Sequence, residues 1–286
     1  MSPLQIESVA VVGAGFMGAG IAESAAVAGL PVVVRDVDEP SIDRARQRLD
    51  ASLERAVAGD KLDAAHAAVA RDRIELTTDL GAISGADLVI EAVPEDERLK
   101  LEVMHAINDV VSDTAIVASN TSSIPIAELA QAVKNPERVL GLHFFSPVPV
   151  MTLVEVVVAL DTSEQTLAIA KQFVERIGKR PIETKDRSGF IVNMLLVPYL
   201  MAAVRMYEDG FASREDIDAG MKLGCGHPMG PLVLCDFIGL DVLYAVCDSL
   251  YEEFKRDEYA PPPLMKRMVA SGRLGRKSGR GFYEYA

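Results

Sequence analysis

Cysteine is scarce in this sequence, and the few cysteines form no recognisable pattern. The 286-residue chain contains three, Cys225, Cys235 and Cys247, an odd number without the close spacing of metal ligands. This argues against a disulfide framework and against a zinc site, so we predict that the protein has no metal centre. The three thiols are expected to be small buried apolar residues.

Long apolar runs are also missing. No segment approaches 18 uncharged apolar residues, and the first ten residues lack the charged and apolar regions of a secretory leader. Together with the unpaired cysteines, this predicts a soluble protein of the reducing cytoplasm without a membrane partner.

Positive charge is in deficit, since 29 Lys and Arg stand against 42 Asp and Glu and the net charge is −13. Nucleic-acid-binding proteins are more often basic, because neutralising phosphates supplies most of their affinity. Nucleic acid is therefore not an expected partner. The 49% hydrophobic and 25% charged residues are normal for a globular protein, which excludes wholesale disorder.

In the first half of the chain, short β-branched segments alternate with longer helical ones. The short segments are too brief and too uniformly apolar to be amphipathic helices. Such alternation builds a parallel sheet with helices on both faces. Strands are predicted at Val9–Val12, Val32–Val34, Leu88–Ala92, Ala115–Ser119 and Val139–Leu142, and helices at Gly18–Gly29, Pro40–Arg71, Arg98–Val111 and Ile126–Val133.

The pattern changes after residue 145. The segment MTLVEVVV (residues 151–158) follows a turn, SPVP, that is too short to be a crossover helix. It should therefore pair antiparallel with the strand before it. A helix near Ser163–Ile177 and a short strand near Arg180–Glu183 then complete this part of the chain.

The remaining residues predict helices only. We expect an α/β Rossmann-type dinucleotide-binding domain, residues 1–184, whose mostly parallel sheet has antiparallel terminal strands. An all-α C-terminal domain, residues 185–286, should follow. Its helices are predicted near Gly189–Asp209, Ser213–Leu223, Gly230–Lys255 and Pro262–Ala270.

The first predicted strand runs into a glycine-rich turn whose residues are Gly13, Ala14, Gly15, Phe16, Met17 and Gly18. The three glycines allow a tight turn, close approach to a pyrophosphate, and close contact of helix and sheet. Asp36 ends the next strand, where its carboxylate can bind an adenosine ribose and would repel a 2′-phosphate. This predicts NAD as cofactor, although the neighbouring Arg35 leaves use of NADP open. A structural turn without a ligand is the alternative.

His143 is placed at the carboxyl end of a predicted strand, where ligands bind in open α/β sheets. If the hairpin that follows is symmetric about residue 149, Glu155 lies directly opposite, with the Cβ atoms about 4.5–5.5 Å apart. A carboxylate beside an imidazole fixes its tautomer and stabilises the imidazolium. The pair is thus a candidate general base for an alcohol proton.

Two further polar segments are less specific. Asn120-Thr-Ser-Ser123 follows a strand to the same edge, although Asn120 is also a common turn residue. Asn193 interrupts an apolar stretch and is either a satisfied core amide or a donor facing the cleft between the domains. The basic residues after Asp36 alternate with acids, as on a solvated helix face, whereas Lys266–Arg280 has six basic residues and no acid and predicts a folded loop near a site.

These residues and their order resemble the L-3-hydroxyacyl-CoA dehydrogenase family, particularly its short bacterial-type 3-hydroxybutyryl-CoA dehydrogenases. The resemblance extends over nearly the whole chain. It is carried by VVGAGFMG (11–18), LVIEAVPE (88–95), ASNTSS (118–123), GLHFFSP (141–147), DRSGFIVN (186–193), GHPMGP (226–231) and GRKSGRGFY (275–283). The first motif is common among dinucleotide enzymes, while those around His143 and Asn193 are far more specific.

The resemblance implies a role for individual residues. His143 would be the catalytic base and Glu155 its orienting partner, while Ser122 and Asn193 would hydrogen-bond the reacting oxygen or the thioester. It implies that the Gly13–Gly18 turn binds NAD together with Asp36, Glu95, Lys100, Ser122 and Ser146, the last replacing an asparagine frequent in the family. For the CoA part it implies Ser52. The family's second CoA contact, a lysine, falls on Gly59 here, with Lys61 two residues on.

The expected activity is reversible hydride transfer between NAD and C3 of an acyl-CoA thioester, in a homodimer formed through the C-terminal domain. Two other functions remain open: an NAD-dependent dehydrogenase of a free small β-hydroxy acid, and a non-catalytic NAD-binding protein. A binding module would need the glycine turn and Asp36, but not the quartet of Ser122, His143, Glu155 and Asn193.

Overall fold

The computed structural model describes residues 5–285, and the chain divides into two compact units, Met1–Asp186 and Arg187–Ala286. The first unit contains one eight-stranded sheet with the strand order β3-β2-β1-β4-β5-β6-β7-β8. The strands are β1 Val9–Val12, β2 Val32–Arg35, β3 Ile74–Thr77, β4 Leu88–Glu91, β5 Ile116–Ser119, β6 Val139–Phe144, β7 Leu153–Val158 and β8 Arg180–Lys185.

The sheet confirms the predicted α/β fold. Strands β1 to β6 run parallel, β7 turns back antiparallel to β6, and β8 is parallel to β7. Since β1 and β4 are neighbours, the strand order reverses beside β1, and ligands bind at such a reversal in open α/β sheets. The helices of this unit are α1 Phe16–Val27, α2 Glu39–Ala58, α3 Ala64–Asp72, α4 Glu97–Val110, α5 Ile126–Ala130 and α6 Glu164–Arg176.

Two details of this unit differ from the sequence prediction. The edge strand β3 was not predicted, because its four residues have only β2 as a neighbour and only Ile74 is buried. The single helical segment Pro40–Arg71 is in fact two helices. Helix α2 ends at Ala58 with Gly59 as its C-cap, and Asp63 caps the start of α3 by accepting a hydrogen bond from the backbone N–H of His66.

The second unit is helical, as predicted. Its helices are α7 Val192–Glu208, α8 Arg214–Cys225, α9 Pro231–Ile238, α10 Leu240–Phe254 and α11 Pro263–Ala270. The predicted segment Gly230–Lys255 is divided at Gly239, whose φ of 104° is incompatible with a continuous helix. Among residues 187–285 the only β pairing is two isolated bridges, which Arg280 makes with Gly275 and Glu284.

Each unit has its own apolar core. In the first, the core includes alternate side chains of the central strands together with α1, and in the second it is built by α7, α9, α10 and α11. Cys235 and Cys247 are buried in the second core as expected, but Cys225 is exposed. Of the helices in the described part of the chain, none has the length and apolar character needed to cross a bilayer.

Candidate active site

The glycine turn after β1 has the geometry that its residues predict. Gly13 has a φ of 105°, and a Cβ on Gly18 would lie 1.8 Å from the Gly13 carbonyl oxygen, so both positions require glycine. Gly15 forms the N-cap of α1, and a Cβ there would meet nothing within 4 Å. The turn therefore leaves open space in front of the N-terminus of α1, where a pyrophosphate gains hydrogen bonds and favourable potential.

Asp36 closes this turn from the end of β2. Its carboxylate accepts hydrogen bonds from the backbone N–H groups of Ala14, at 2.7 Å, and Val37, at 2.7 Å. Residues 13–17 and Asp36 line one cavity of about 620 Å³. The open space at Gly15 and the carboxylate at the rim fit the pyrophosphate and the ribose of a dinucleotide.

A buried ion pair lies next to that cavity. Glu91, at the end of β4, is fully buried, and the Lys100 ammonium of α4 is 2.7 Å from one of its oxygens. Lys100 also donates to the Val93 carbonyl at 3.2 Å, while Glu91 accepts from the Ser119 hydroxyl at 2.5 Å. The pair thus ties together the ends of β4 and β5 and the start of α4.

Glu95 links this ion pair to Ser122. One carboxylate oxygen of Glu95 lies within hydrogen-bond distance of the backbone N–H and hydroxyl of Ser122, at 2.7 and 3.1 Å, and of donors on Thr121 and Ser123. Its other oxygen is 3.4 Å from the Lys100 ammonium. Burial raises the pKa of Glu95, but the Lys100 charge and these hydrogen bonds outweigh it and hold the pKa below its ordinary value. Glu95 is therefore anionic at neutral pH.

His143 and Glu155 face each other across the β6–β7 hairpin, in the predicted register. The His143 Nδ1 atom is 2.6 Å from a Glu155 carboxylate oxygen, with Glu155 fully buried and His143 7% exposed. In the tautomer that donates from Nδ1 to the Glu155 carboxylate, Nε2 is the nitrogen that exchanges a proton. The Phe145 ring packs on the imidazole with the ring centroids 4.6 Å apart.

The ends of β5 and β6 are joined by Asn120. Its side-chain oxygen accepts a hydrogen bond from the Phe144 backbone N–H at 2.9 Å, next to His143. Asn120 is thus more than a local turn residue, because it connects the Ser122 segment to the strand that carries His143. Ser146 follows in the turn after β6 and is exposed.

The remaining predicted residues lie elsewhere. Asn193 is the second residue of α7 in the helical unit and is half-buried. Ser52, on α2, and Lys61, in the α2–α3 connection, line one cavity of about 500 Å³ in the first unit. The structure therefore places Ser52 and Lys61, the two candidate CoA contacts, in one cavity.

Sequence reasoning missed Glu23 and Glu91. Each is an acidic residue within a predicted element, Glu23 on α1 and Glu91 at the end of β4, and both are buried. An acidic residue in an apolar segment is a signal in the sequence, but its partner is not. Arg44, Arg48 and Arg55 are exposed, as predicted for a solvated helix face, and in the structure they also line cavities.

Two family models match this chain. Residues 8–187 match the model described as 3-hydroxyacyl-CoA dehydrogenase, NAD binding domain, and residues 189–285 match the model of the C-terminal domain. The two matches together span nearly the whole sequence.

Known proteins are similar over the same span. The chain is 52% identical to a 3-hydroxybutyryl-CoA dehydrogenase from Mycobacterium tuberculosis, covering 98% of this chain and 99% of the relative. It is 43% identical to the mitochondrial hydroxyacyl-coenzyme A dehydrogenase of Sus scrofa, covering 98% and 91%. A crystal structure of (S)-3-hydroxybutyryl-CoA dehydrogenase from Ralstonia eutropha is 45% identical and superposes with a TM-score of 0.94, covering 99% and 100%.

Proposed function

Because this chain belongs to the 3-hydroxyacyl-CoA dehydrogenase family, whose NAD-dependent oxidoreductase chemistry it shares, we propose that it interconverts L-3-hydroxyacyl-CoA and 3-ketoacyl-CoA. The observation that carries the proposal is the His143–Glu155 pair, whose nitrogen and oxygen are 2.6 Å apart. His143 lies near the carboxyl end of β6, and the glycine turn follows the carboxyl end of β1. Both therefore belong to one edge of the sheet, where the reacting groups must meet.

His143 moves the proton in this proposal. Held by the glycine turn and Asp36, NAD would supply the hydride acceptor for C3 of the hydroxyacyl group and, when reduced, the hydride donor for the reverse reaction. As the hydride leaves, Nε2 of His143 takes the proton of the C3 hydroxyl, and Glu155 stabilises the resulting imidazolium. In the reverse direction the imidazolium returns the proton to the forming alcohol. General acid–base help of this kind contributes typically about 10²–10⁴-fold in rate.

Ser122 and Asn193 orient the reacting oxygen or the thioester in the proposal. The hydrogen bonds from Ser122 to Glu95 support its role, because they fix the serine backbone and hydroxyl. Glu95 and Ser146 contact the cofactor, while the fully buried Lys100 acts on it through Glu95. Ser52 and Lys61 contact the CoA part of the substrate.

We further propose short-chain substrates, 3-hydroxybutyryl-CoA and acetoacetyl-CoA. Bacterial relatives of this length carry that name, among them proteins from Mycobacterium tuberculosis and Clostridioides difficile. NAD is preferred to NADP because the Asp36 carboxylate would repel a 2′-phosphate.

Residues 1–184 form the NAD-binding domain in this proposal, and residues 185–286 complete the substrate cleft and form a homodimer. The helical unit exposes three large apolar side chains by more than 70%, Leu195, Phe211 and Leu223, and a second copy of the chain would cover such residues. Light scattering should give twice the monomer mass. We infer a cytoplasmic location, with which free thiols at Cys225, Cys235 and Cys247 agree.

The test is steady-state reduction of acetoacetyl-CoA with NADH, compared with free acetoacetate, longer 3-ketoacyl-CoAs and NADPH. We expect the highest kcat/KM for acetoacetyl-CoA with NADH. Equal or better turnover of free acetoacetate would favour the free β-hydroxy acid dehydrogenase instead. NADH binding without turnover of any of these substrates would favour a non-catalytic protein.

A further inference from the structure

A groove in the first unit lies beside α1, α2 and the turn of residues 147–152. It consists of two cavities of about 340 and 500 Å³, which share part of their walls. Both are lined by Phe16 and Glu23 of α1, Ser52 and Arg55 of α2, and Pro147 and Pro149 of the turn. Close packing shapes the floor, because a Cβ on Gly20 would lie 2.8 Å from Val148.

Glu23 is an unusual side chain for such a floor. It is 4% exposed, yet it lines both cavities. The Ser52 hydroxyl hydrogen-bonds its carboxyl group, and the charges of Arg55 and Lys179 act on it from farther away. One hydroxyl does not use the full hydrogen-bonding capacity of a carboxyl group, so a buried carboxyl that lines a cavity can also bind a polar group of a ligand there.

The charges around Glu23 do not neutralise it. The positive charges of Arg55 and Lys179 lower the pKa of Glu23. The Lys179 ammonium, however, donates its hydrogen bonds to the carbonyls of Val148 and Met151, at 2.6 and 2.8 Å. Burial is the dominant influence and raises the pKa of Glu23 despite these cations and Ser52. The other ionisable residues that line the cavities are Arg44, Arg48 and Lys61.

We propose that Glu23 hydrogen-bonds an amide of the pantetheine arm of the acyl-CoA in this groove, an inference that rests on the proposed function. A neutral carboxylic acid has one O–H donor and one carbonyl acceptor. Each pantetheine amide is trans and has its carbonyl acceptor and its N–H donor on opposite sides, so the carboxyl group can donate to the carbonyl of one amide or accept from an N–H. The apolar side chains of Phe16 and Pro149 suit the methylene groups of the same arm.

The surrounding charges agree with this ligand. Arg44, Arg48, Arg55 and Lys61 provide positive charge for the phosphates at the other end of CoA. An ionised Glu23 would weaken that attraction and could not donate a hydrogen bond. The protonated form adds no negative charge and can donate a hydrogen bond, and burial favours this form by raising the pKa of Glu23.

The experiment compares Glu23→Ala and Glu23→Gln on two substrates. One is acetoacetyl-CoA, and the other is the S-ethyl thioester of acetoacetate, which lacks both amides. Loss of a buried hydrogen bond should raise the KM of E23A for acetoacetyl-CoA about five- to ten-fold. In E23A, the KM for the S-ethyl thioester and the Kd for NADH should stay at their wild-type values.

Glutamine keeps one donor and one acceptor, so E23Q should restore most of the affinity that E23A loses. The wild-type KM for acetoacetyl-CoA should rise as pH increases through the raised pKa of Glu23, and this rise should be absent from E23Q and from the S-ethyl thioester. Glu54→Gln, at an exposed position on α2, is the matched control and should leave both KM values and their pH profiles unchanged.

Three outcomes would overturn the inference: equal KM changes for the two substrates in E23A, a loss in E23Q as large as in E23A, or the same pH profile in E23Q as in the wild type. If E23A does not fold, the pH dependence of KM in E23Q tests the inference by itself. Absence of acetoacetyl-CoA turnover in the wild type would instead contradict the proposed function, so the two failures are distinguishable.

Discussion

At the scale of single residues, the Glu155 carboxylate determines what His143 can do. It lies 2.6 Å from Nδ1 and is fully buried. An imidazole held this way keeps one tautomer and one orientation, and its imidazolium is stabilised where it forms. Neither residue has this property without the other.

His143→Gln should therefore reduce kcat for acetoacetyl-CoA by about 10²–10⁴-fold, because glutamine cannot accept the proton. NADH affinity, measured by fluorescence titration, should stay within about two-fold of wild type, since this base acts in the chemical step. His105→Gln, at an exposed position on α4, is the matched control and should behave as wild type. Near-normal turnover in H143Q would remove His143 from the mechanism.

Glu23 also has a measurable effect on stability. For an acid whose pKa is raised by folding, the native state binds more protons than the unfolded state, so stability decreases as pH rises from the ordinary pKa of about 4.5 through the raised one. Glu23→Gln removes this pH-dependent loss of stability. The Tm of E23Q should exceed that of wild type at pH 7, and the difference should shrink towards zero as pH falls to about 4.5. A difference in Tm that does not depend on pH would contradict an acid of raised pKa.

At the scale of elements, the β1–α1 turn shows why two glycines of one motif do different work. Gly18 is needed by the fold, since a side chain there would collide with the turn itself. Gly15 has an ordinary φ of −63° and open space around it, so the protein alone does not require it. Its lack of a side chain is explained by a ligand that approaches the backbone.

Gly15→Ala and Gly18→Ala form a matched pair. G15A should keep the Tm of the cofactor-free protein but weaken NADH binding by roughly ten-fold or more, a cost of about 1.4 kcal/mol. G18A should lose about 1–3 kcal/mol of stability from overpacking and bind NADH weakly as well. Calorimetric binding and thermal unfolding distinguish the two. Equal Tm losses would show that both positions serve the fold only.

The β4–α4 junction depends on the buried ion pair of Glu91 and Lys100. Lys100→Met would leave Glu91 charged and uncompensated, at a cost of about 3–5 kcal/mol in urea unfolding. E91M/K100M should recover only part, because the Ser119 hydroxyl and the Val93 N–H then lose their acceptor. The control is Lys134→Met, which removes an exposed pair with Asp113 and should cost below about 1 kcal/mol. Equal losses in K100M and K134M would contradict this account.

At the scale of the whole molecule, the two units have separate cores that share no residue. In the helical unit, Asp236 of α9 holds the C-terminal segment. One of its oxygens accepts from the Phe282 N–H at 2.9 Å, and the other accepts from the N–H of Tyr283 at 2.9 Å and the hydroxyl of Tyr285 at 3.0 Å. The two carboxylate oxygens of Asp236 thus hold residues 282, 283 and 285 against α9 through hydrogen bonds.

Asp236→Asn should loosen this unit alone. Asparagine replaces one acceptor by an NH₂ donor that faces other donors, at a cost of about 1–3 kcal/mol. Hydrogen exchange should accelerate in the peptides of α9 and of residues 275–285, while the amides of β1, β4 and β5 keep wild-type protection. Faster exchange throughout both units would show that the two cores unfold as one.

The sequence by itself determined the features that depend on neighbours along the chain. The glycine turn, the strand–helix alternation and the His143–Glu155 register follow from short-range rules, because a turn of few residues leaves only one way to pair two strands. The family motifs in addition predicted NAD as the cofactor and hydride transfer as the reaction. The exposed Cys225, the edge strand β3 and the division of the predicted helices at Gly59 and Gly239 lay beyond those rules.

Only the tertiary structure decided which distant charges meet. Glu91 and Lys100 pair across a strand, a loop and a helix, and Glu95 gathers donors from residues 121–123. Glu23 faces a cavity that exists because α1, α2 and the turn at residues 147–152 pack together. The physical reason is that desolvation depends on the atoms that surround a group in space, and a one-dimensional pattern does not contain them.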